Sequence, residues 1–252
     1  MSDLPQVQRV RHELKRRQLK VSRVERLGPS MIRVALTGEE LQGFTSLGFD
    51  DHVKVFFPAN DAPDPAMRDL TPRRYDAASG ELWIDFYLHE AGPAAGWAKD
   101  AAAGQSLMVG GPRGSSIIST EGIDSHLLIG DETALPAIGR RLEELPPGSR
   151  ALVVIETADG AAGYPLQSRA QTQFEWIARS SRPDSPAQGL IAKLGTLTFP
   201  AGRCFAWAAL ESQAARAVRR YLVAERHFDK HWVKAAGYWQ HDAVGTHEVF
   251  SD

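Results

Sequence analysis

The sequence predicts a small β-barrel followed by a parallel α/β domain. In the first half of the chain, short stretches alternate apolar and polar residues between turn signals, which is typical of antiparallel strands. In the second half, short apolar strands alternate with amphipathic helices, which is typical of a doubly wound parallel sheet. The pattern changes near "GPRGSSIISTEGID", around Thr120. We therefore expect two domains, residues 1–119 and residues 120–252, the second ending in a C-terminal extension.

Three stretches of the first half predict strands. In "PSMIRVALTG", Ile32, Val34 and Leu36 alternate with their neighbours, which is the period of a half-buried strand. "HVKVFFP" and "ELWIDFYLH" repeat this pattern, and Gly, Pro or Asp residues bound each of them. Several short strands separated by turns favour a barrel.

The second half begins with the apolar strand "HLLIG" and a helix over Thr133–Leu145. Leu135, Ile138 and Leu142 lie on one face of this helix, and "PPG" ends it. "ALVVIE", "FEWIA", "CFAWAAL" and "HWVKAAGYW" predict further strands, and a second helix follows "CFAWAAL". "SSRPDSPAQG" predicts a surface loop.

Composition excludes several classes of function. With 252 residues and 43% hydrophobic content, the chain can build substantial cores without cross-links. The net charge of −2 gives no general attraction to nucleic acid or to an anionic membrane. The single cysteine, Cys204, excludes a disulfide framework, a four-thiolate zinc site and an iron–sulfur cluster held by this chain alone. The polar amino terminus lacks an apolar run, so we expect a soluble cytoplasmic protein without a signal peptide or a membrane anchor.

The stretch "RDLT" combines two groups that can hold a charged ring-containing ligand. Arg68 can grip a phosphate through its planar guanidinium, and Thr71 can offer a hydroxyl to a ring nitrogen. Taken alone, the stretch is better explained as a turn with a solvated arginine.

The stretch "HEAGPAAGWA" follows the next strand. Gly92 and Pro93 turn the chain, and Ala94 and Ala95 begin a helix whose free N–H groups can bind phosphate. A plain loop-to-helix junction with Trp97 in the core is the better explanation of this stretch when it is considered alone. Its place one strand after "RDLT" favours the ligand-binding interpretation.

The other motifs give little evidence about function. "GDETALPA" stands where a glycine-rich turn would hold a dinucleotide, but G-x-G-x-x-G, P-loop, G-x-S-x-G and H-E-x-x-H motifs are all absent from the sequence. His227 and His231 are four residues apart but lack a third zinc ligand, so we expect solvated histidines and no metal site. Arg216, Arg219 and Arg220 suit a solvated helix face better than a cofactor's 2′-phosphate.

The chain resembles the siderophore-interacting protein family of flavin-dependent ferric-siderophore reductases in the ferredoxin-reductase superfamily. Six stretches match in the family's order: "HVKVFFP", "RDLTPRRYD", "GELWIDFYLHEAGPAAGWA", "GPRG", "GDETALPA" and "WVKAAGYW". The resemblance implies an antiparallel six-stranded barrel that binds FAD, followed by an NAD(P)-binding-like doubly wound domain that faces NAD(P)H or reduced ferredoxin.

The resemblance also implies a flavin site. The family's first motif is R-x-Y-(S/T), and this chain has Leu70 in place of the tyrosine. By analogy, Arg68 serves the pyrophosphate, and Thr71, the implied catalytic residue, serves the ring edge near N5. The residues assigned to the cofactor in this way are Arg68, Asp69, Leu70, Thr71, Tyr87, Leu88, His89, Gly92, Pro93, Ala94, Ala95 and Trp97.

The chemistry implied by the resemblance needs no acid–base side chain. A nicotinamide gives up two electrons as hydride and Fe(III) accepts one, so the flavin divides the electrons. Fe(II) is held less tightly than Fe(III) by hard oxygen ligands and leaves the chelate. Because ferric siderophores are often anionic, we expect Lys54, Arg113 and Lys234 to guide them, although ordinary surface cations explain each residue equally well.

Two other functions stay open at this point. Leu70 and the missing glycine-rich turn suit a protein that binds flavin or siderophore without turnover. A general flavin reductase of the same superfamily is the other alternative.

Overall fold

The structure is a computed structural model that describes residues 4–58, 65–89, 92–158, 163–179, 187–240 and 248–250. The chain divides into two units. The amino-terminal unit contains Val7–Ile117 and the short segment Gly163–Pro165. The carboxyl-terminal unit contains the other described residues, so the division falls close to the change of pattern in the sequence.

The amino-terminal unit is built mainly from strands. Its elements are β1 (Val7–Arg11), β2 (Arg16–Arg26), β3 (Met31–Thr37), β4 (Val53–Phe57), β5 (Ala66–Leu70), β6 (Pro72–Asp76), β7 (Glu81–Tyr87), α1 (Pro93–Lys99), β8 (Ser106–Gly110) and β9 (Gly114–Ile118). β1 pairs with β9 in a separate two-stranded sheet.

The other seven strands form one antiparallel sheet in the order β5-β4-β8-β2-β3-β7-β6. β5 and β6 stand at opposite ends of this order, yet only Thr71 separates them in sequence. Leu70 and Pro72 therefore lie within about 7 Å of each other. The sheet must curl until its two edge strands meet at Thr71, and we call this meeting point the seam.

The inside of the curled sheet is apolar. Alternate residues of each strand point into it, including Leu19, Val34, Val55, Ile84 and Val109, which are all fully buried. The predicted period of two thus sets which side chains form this core. Met31 and Ala35 on the other side of β3 are buried as well, so this strand is covered on both faces rather than half-buried.

The carboxyl-terminal unit contains a mixed sheet and three helices. Its elements are β10 (Ser125–Asp131), α2 (Leu135–Glu144), β11 (Arg150–Thr157), β12 (Gln171–Ala178), α3 (Gln188–Thr196), β13 (Cys204–Glu211), α4 (Ser212–Ala224), β14 (Val233–Trp239) and β15 (Glu248–Phe250). The strand order is β12-β11-β10-β13-β14-β15, in which the first five strands are parallel and β15 is antiparallel.

Helices cover both faces of this sheet. Leu190 of α3 and Val218 of α4 pack in one cluster with Leu127 and Ile129 of β10. Gly130 points to the opposite face, where a Cβ atom would lie 2.5 Å from Cβ of Ala134, at the turn that begins α2. The predicted doubly wound arrangement is confirmed.

The structure corrects several details of the sequence prediction. The barrel implied by the family resemblance has six strands, whereas the sheet has seven. "RDLT", explained as a turn when taken alone, lies mostly in β5. The predicted helix Thr133–Leu145 begins two residues later, after a 3₁₀ turn over Glu132–Ala134. Much of "SSRPDSPAQG" lies outside the described residues, and α3 begins within its last residues.

His126 is a buried polar residue in the middle of the parallel sheet. Its ring contacts Phe205 edge to face, at 6.4 Å between ring centroids. Neither ring nitrogen has a hydrogen-bond partner among the described residues. Burial, with a smaller effect from Arg141, lowers the pKa of His126 to about 3. The imidazole is therefore neutral in the folded protein.

This burial predicts a loss of stability in acid. Unfolding exposes the imidazole and returns its pKa to 6.5, so between pH 6.5 and about pH 3 the unfolded state binds one more proton than the folded state. The free energy of unfolding should fall by about 2 kcal/mol between pH 6.5 and about pH 5 because of this group. Urea denaturation of His126→Leu should show a flatter pH dependence over this range. His231→Leu removes an exposed histidine and serves as the control, and equal slopes for the two variants would contradict the assignment.

Candidate functional site

A cationic corner of the amino-terminal unit lies beside the start of α1. Lys99 Nζ donates to the carbonyl oxygen of His89 at 3.5 Å. Burial lowers the pKa of His89, and the charges of Lys99 and Arg68 lower it further, so the three side chains act on one another. Burial also lowers the pKa of Arg68. We call Arg68, His89 and Lys99 the cationic corner, and the positive charges of Arg68 and Lys99 favour a bound anion.

The first turn of α1 opens toward ligands through its backbone. Gly92 has φ +132°, and a Cβ atom there would lie 2.7 Å from Cε1 of His89, so a glycine is required. Among the described residues, no side chain caps the turn, and Pro93 has no N–H to donate. The free donors are the amides of Ala94 and Ala95. Small side chains and free amides beside the cationic corner fit a phosphate group.

Trp97 is half-buried and packs against the apolar core. Its ring lies 5.8 Å from Phe57 and 5.7 Å from Phe86, measured between centroids. The side chain of Ala95 is also buried. These two residues therefore fix the position of α1, and the backbone of the turn is what remains for a ligand.

The residues of β5 divide between the two faces of the sheet. Leu70 packs against the apolar core, and Arg68 has the same orientation because it is two residues away. Asp69 points outward, where its Oδ1 accepts from Lys54 Nζ at 2.9 Å. Arg68, Leu70, His89 and α1 thus lie on one side, whereas Asp69 and Lys54 pair on the other.

Thr71 at the seam is buried, and a polar network adjoins it. The pairing of β6 with β7 shifts register at Arg73, which forms a bulge. Arg73 Nε donates to the hydroxyl of Tyr164 at 3.2 Å, and that hydroxyl donates to Asp85. Arg33 donates twice to the same carboxylate, at 2.7 and 2.8 Å. The network anchors the strand that follows Thr71.

The sequence alone did not predict this network. Arg33 and Asp85 are opposite each other in the register of β3 and β7, so a strand alignment could have paired them. No sequence pattern points to Tyr164, which is 79 positions from Asp85.

The remaining predicted residues are spread over both units. Tyr87 ends β7 with its ring 6.0 Å from that of His89, and Leu88 packs against the apolar core. Arg113 is exposed, three residues beyond the Gly110 that pairs with Lys54. Lys234 is half-buried on β14 in the carboxyl-terminal unit.

The carboxyl ends of the parallel strands carry an acidic cluster. Asp131 ends β10 and accepts a hydrogen bond from Trp239 Nε1 at 2.8 Å. Arg179 forms ion pairs with Glu132 and Glu156. Burial raises the pKa of Asp131 and that of Glu156. Acidic side chains outnumber the one guanidinium in this cluster and occupy its donors, which disfavours a phosphate at this edge.

Gly130 of "GDETALPA" serves packing. A Cβ atom at this position would lie 2.5 Å from Cβ of Ala134 and 3.0 Å from Cδ1 of Ile138. The glycine allows the turn after β10 to pack closely against that strand. Acidic residues follow it, at the position where a phosphate-binding loop would have glycines.

The other sequence candidates do not form a site. His227 follows the end of α4 and His231 lies in a 3₁₀ turn, so they do not share a helix face, and both are exposed. On α4, Arg216 stacks on Phe250, with its guanidinium carbon 4.2 Å from the ring centroid. The described residues contain no group of three side chains able to hold a metal ion. Within the same residues, no helix has the length and apolar character needed to span a membrane.

Family models match both halves of the chain. The model of the siderophore-interacting FAD-binding domain matches residues 20–67 and 59–116, and that of the siderophore-interacting protein matches residues 123–242. The chain belongs to the siderophore-interacting protein family. The family resemblance predicted from the six stretches is confirmed.

Relatives within the family are similar over most of their length. The NADPH-dependent ferric-chelate reductase of Escherichia coli K12 is 39% identical, over 92% of this chain and 96% of that protein. Ferric vibriobactin reductase ViuB of Vibrio cholerae is 31% identical, over 84% of each chain. The crystal structure of a siderophore utilization protein from T. fusca has a TM-score of 0.85 and 34% identity, over 96% of this chain and 98% of that one.

The position of Trp97 predicts a structural role for its ring. Trp97→Ala removes contacts with Phe57 and Phe86 and should lower the free energy of unfolding by about 3 kcal/mol. Urea denaturation of the flavin-free protein measures this loss, and Trp97→Phe should recover most of it. A stability unchanged by Trp97→Ala would contradict core packing.

Proposed function

We propose that the chain is an FAD-dependent ferric-siderophore reductase, which transfers electrons from NADPH to Fe(III) in a siderophore and releases Fe(II). The observation that carries this proposal is the 39% identity, over nearly the whole length, to a protein named NADPH-dependent ferric-chelate reductase. The cationic corner supports it, because this unit matches an FAD-binding domain and offers a place for a pyrophosphate.

The residues of the amino-terminal unit fit FAD. Arg68 and Lys99 would neutralise the pyrophosphate, and the amides of Ala94 and Ala95 would donate to it. Gly92, which has no side chain, leaves room for the phosphate oxygens. Thr71 would present its hydroxyl to the edge of the flavin ring from the seam.

The strand before α1 would hold the flavin ring. Tyr87 and Leu88 precede His89 of the cationic corner, so a ligand bound there by its phosphates would extend its ring along this strand. Leu70 packs against the core and offers neither a hydroxyl nor an aromatic face, which would leave the flavin without the contact that the family's tyrosine supplies.

The protein's own residues bind and orient the reactants. FAD, when bound, supplies the conversion between a two-electron donor and a one-electron acceptor. One NADPH therefore reduces two ferric chelates, forming NADP⁺, one proton and two ferrous chelates. Fe(II) binds hard oxygen ligands more weakly than Fe(III), so the iron leaves after reduction. No side chain has to transfer a proton to the iron.

The electron donor is proposed to be NADPH, and reduced ferredoxin is the second candidate. The acidic cluster at the carboxyl ends of β10 and β11 gives no support to a pyrophosphate there. Half-buried Cys204 suits a reducing compartment, and we place the reaction in the cytoplasm.

Lys54 and Arg113 are proposed to attract the anionic chelate, and Lys234 stays a further candidate for this role. Asp69 neutralises part of the charge of Lys54, so Lys54 should contribute less than a free lysine.

An anaerobic reduction experiment tests the proposed function. NADPH should bleach the visible absorbance of the purified yellow protein, and a ferric siderophore should restore it while a chromogenic chelator traps Fe(II). NADH and reduced ferredoxin serve as alternative donors. No bleaching by any donor would favour a binding protein, and turnover of free flavin without a gain from ferric chelates would favour a general flavin reductase.

Arg68→Ala tests the pyrophosphate site. Loss of a charge-assisted hydrogen bond should weaken FAD binding by roughly 10- to 100-fold. Quenching of flavin fluorescence on titration into flavin-free protein measures the dissociation constant. Arg26→Ala removes an exposed arginine at the end of β2 and is the matched control. If both variants bind FAD as tightly as the parent, the cationic corner does not hold the pyrophosphate.

A further inference from the structure

The backbone holds the start of β6, next to Thr71, less firmly than the rest of that strand. β6 is an edge of the seven-stranded sheet, and β7 is its neighbour in the strand order. Pro72 has no N–H group to donate, and the bulge at Arg73 interrupts the pairing at the next position. Side-chain contacts are therefore needed to fix the residues that follow Thr71.

The bulge directs Arg73 to the outward side of the sheet. Arg74 is opposite Trp83, which points outward because it alternates with core residues of β7. In a regular strand, Arg73 would point to the other side. Its Nε atom instead donates to the hydroxyl of Tyr164 at 3.2 Å, on the outward side. The extra residue of the bulge thus determines where this guanidinium binds.

Tyr164 connects Arg73 to two further strands. Its hydroxyl accepts from Arg73 and donates to Asp85 of β7, and Arg33 of β3 donates twice to the same carboxylate. Burial and the charge of Asp85 raise the pKa of Tyr164, so the hydroxyl keeps its proton and stays a donor. A single hydroxyl therefore links the start of β6 to β7 and β3.

A close backbone contact fixes the segment that carries Tyr164. Gly28, in the turn between β2 and β3, has φ +109°, and a Cβ atom there would collide with the carbonyl oxygen of Gly163. A Cβ atom on Gly163 would lie 3.3 Å from Cδ of Pro29. Tyr164 is buried, although it comes from the later half of the chain. The two glycines allow this segment to approach the sheet closely enough for the hydroxyl to reach Arg73.

We propose that Tyr164 is a positioning residue that holds Thr71 in place for the flavin ring. This inference rests on the proposed function, in which Thr71 presents its hydroxyl to the ring edge. Tyr164 is on the outward side of the sheet, so it acts through Arg73, two residues from Thr71. Without the Tyr164 hydroxyl, Arg73 loses its link to Asp85, and the start of β6 can shift. Thr71 then no longer meets the ring edge in the best geometry.

Tyr164→Phe tests the proposal, because it removes the hydroxyl and keeps the buried ring. Titration of flavin-free protein with FAD, followed by flavin fluorescence, should give a dissociation constant roughly threefold to tenfold higher than that of the parent. The visible absorption bands of the bound flavin respond to hydrogen bonds at the ring edge. They should shift in the same direction as in Thr71→Val, which removes the positioned hydroxyl itself.

Tyr75→Phe is the matched control. It also removes a tyrosine hydroxyl from the structure around β6, and this hydroxyl donates to the carbonyl oxygen of Leu41 at 3.0 Å. Because this hydrogen bond lies outside the group of Arg73 and Tyr164, Tyr75→Phe should leave both the dissociation constant and the absorption bands unchanged.

Double variants distinguish positioning from a general loosening of the fold. If Tyr164 acts through Thr71, adding Tyr164→Phe to Thr71→Val should change the FAD affinity by less than about twofold. Arg68 is proposed to bind the phosphates from the other edge strand. The fold-changes of Tyr164→Phe and Arg68→Ala should therefore multiply when the two are combined. Urea denaturation and circular dichroism establish that each variant is folded at the temperature of the titration.

Three results overturn the proposal. The first is FAD binding and absorption bands in Tyr164→Phe that equal those of the parent. The second is a loss of affinity that is as large with Thr71→Val present as without it, which indicates a general effect on stability. The third is an unchanged Thr71→Val variant, because Thr71 would then make no contact to be positioned. A parent protein that binds FAD but reduces no ferric chelate refutes the reductase function and leaves this comparison valid.

Discussion

The closure of the seven-stranded sheet at Thr71 is the constraint on which the proposed flavin site depends. β5 and β6 are the two edges of the sheet, and one residue connects them. This connection places Arg68 and Leu70 on the inner side just before Thr71 and the Arg73 bulge just after it. The hydrogen-bonded group of Arg73, Tyr164, Asp85 and Arg33 supports the second edge strand where ladder hydrogen bonds are interrupted. A short motif can therefore position groups from two strands at once.

The two units differ in the charged side chains at the places where a ligand could bind. The amino-terminal unit gathers Arg68, His89 and Lys99 around a helix start with free amides. The carboxyl-terminal unit instead surrounds Arg179 with carboxylates at the edge where parallel sheets commonly bind nucleotides. We propose that phosphate recognition is concentrated in the first unit. In the second unit, the turn "GDETALPA" packs closely through Gly130 and forms an ion pair through Glu132.

Much of the architecture could be predicted from the sequence because the period of the apolar residues decides which face is buried. Apolar residues recur at every second position along β3, β4 and β7, and they form a continuous run in β10. These patterns agree with the burial of the strands. β5 was missed because it is an edge strand with Arg68 and Asp69 among its five residues, so it has little apolar pattern.

Contacts within the candidate site were harder to predict than its strands. The Lys54–Asp69 pair depends on the register of two strands, which the sequence of neither strand reveals. Tyr164 reaches its partners from a distant loop, so no local pattern predicts it. The helix start at Gly92 could be predicted because its signal, small residues after a strand, is local.

The aromatic contact beneath α1 has a consequence for cofactor exchange. A helix of seven residues has little intrinsic stability in water, and Trp97 ties this one to Phe57 and Phe86. Its amides are thus held in place by the hydrophobic interior and do not need a phosphate to order them. A freshly synthesised chain can therefore fold this helix first and bind the phosphates of the proposed flavin site afterwards, without an entropic cost for ordering the helix at that moment.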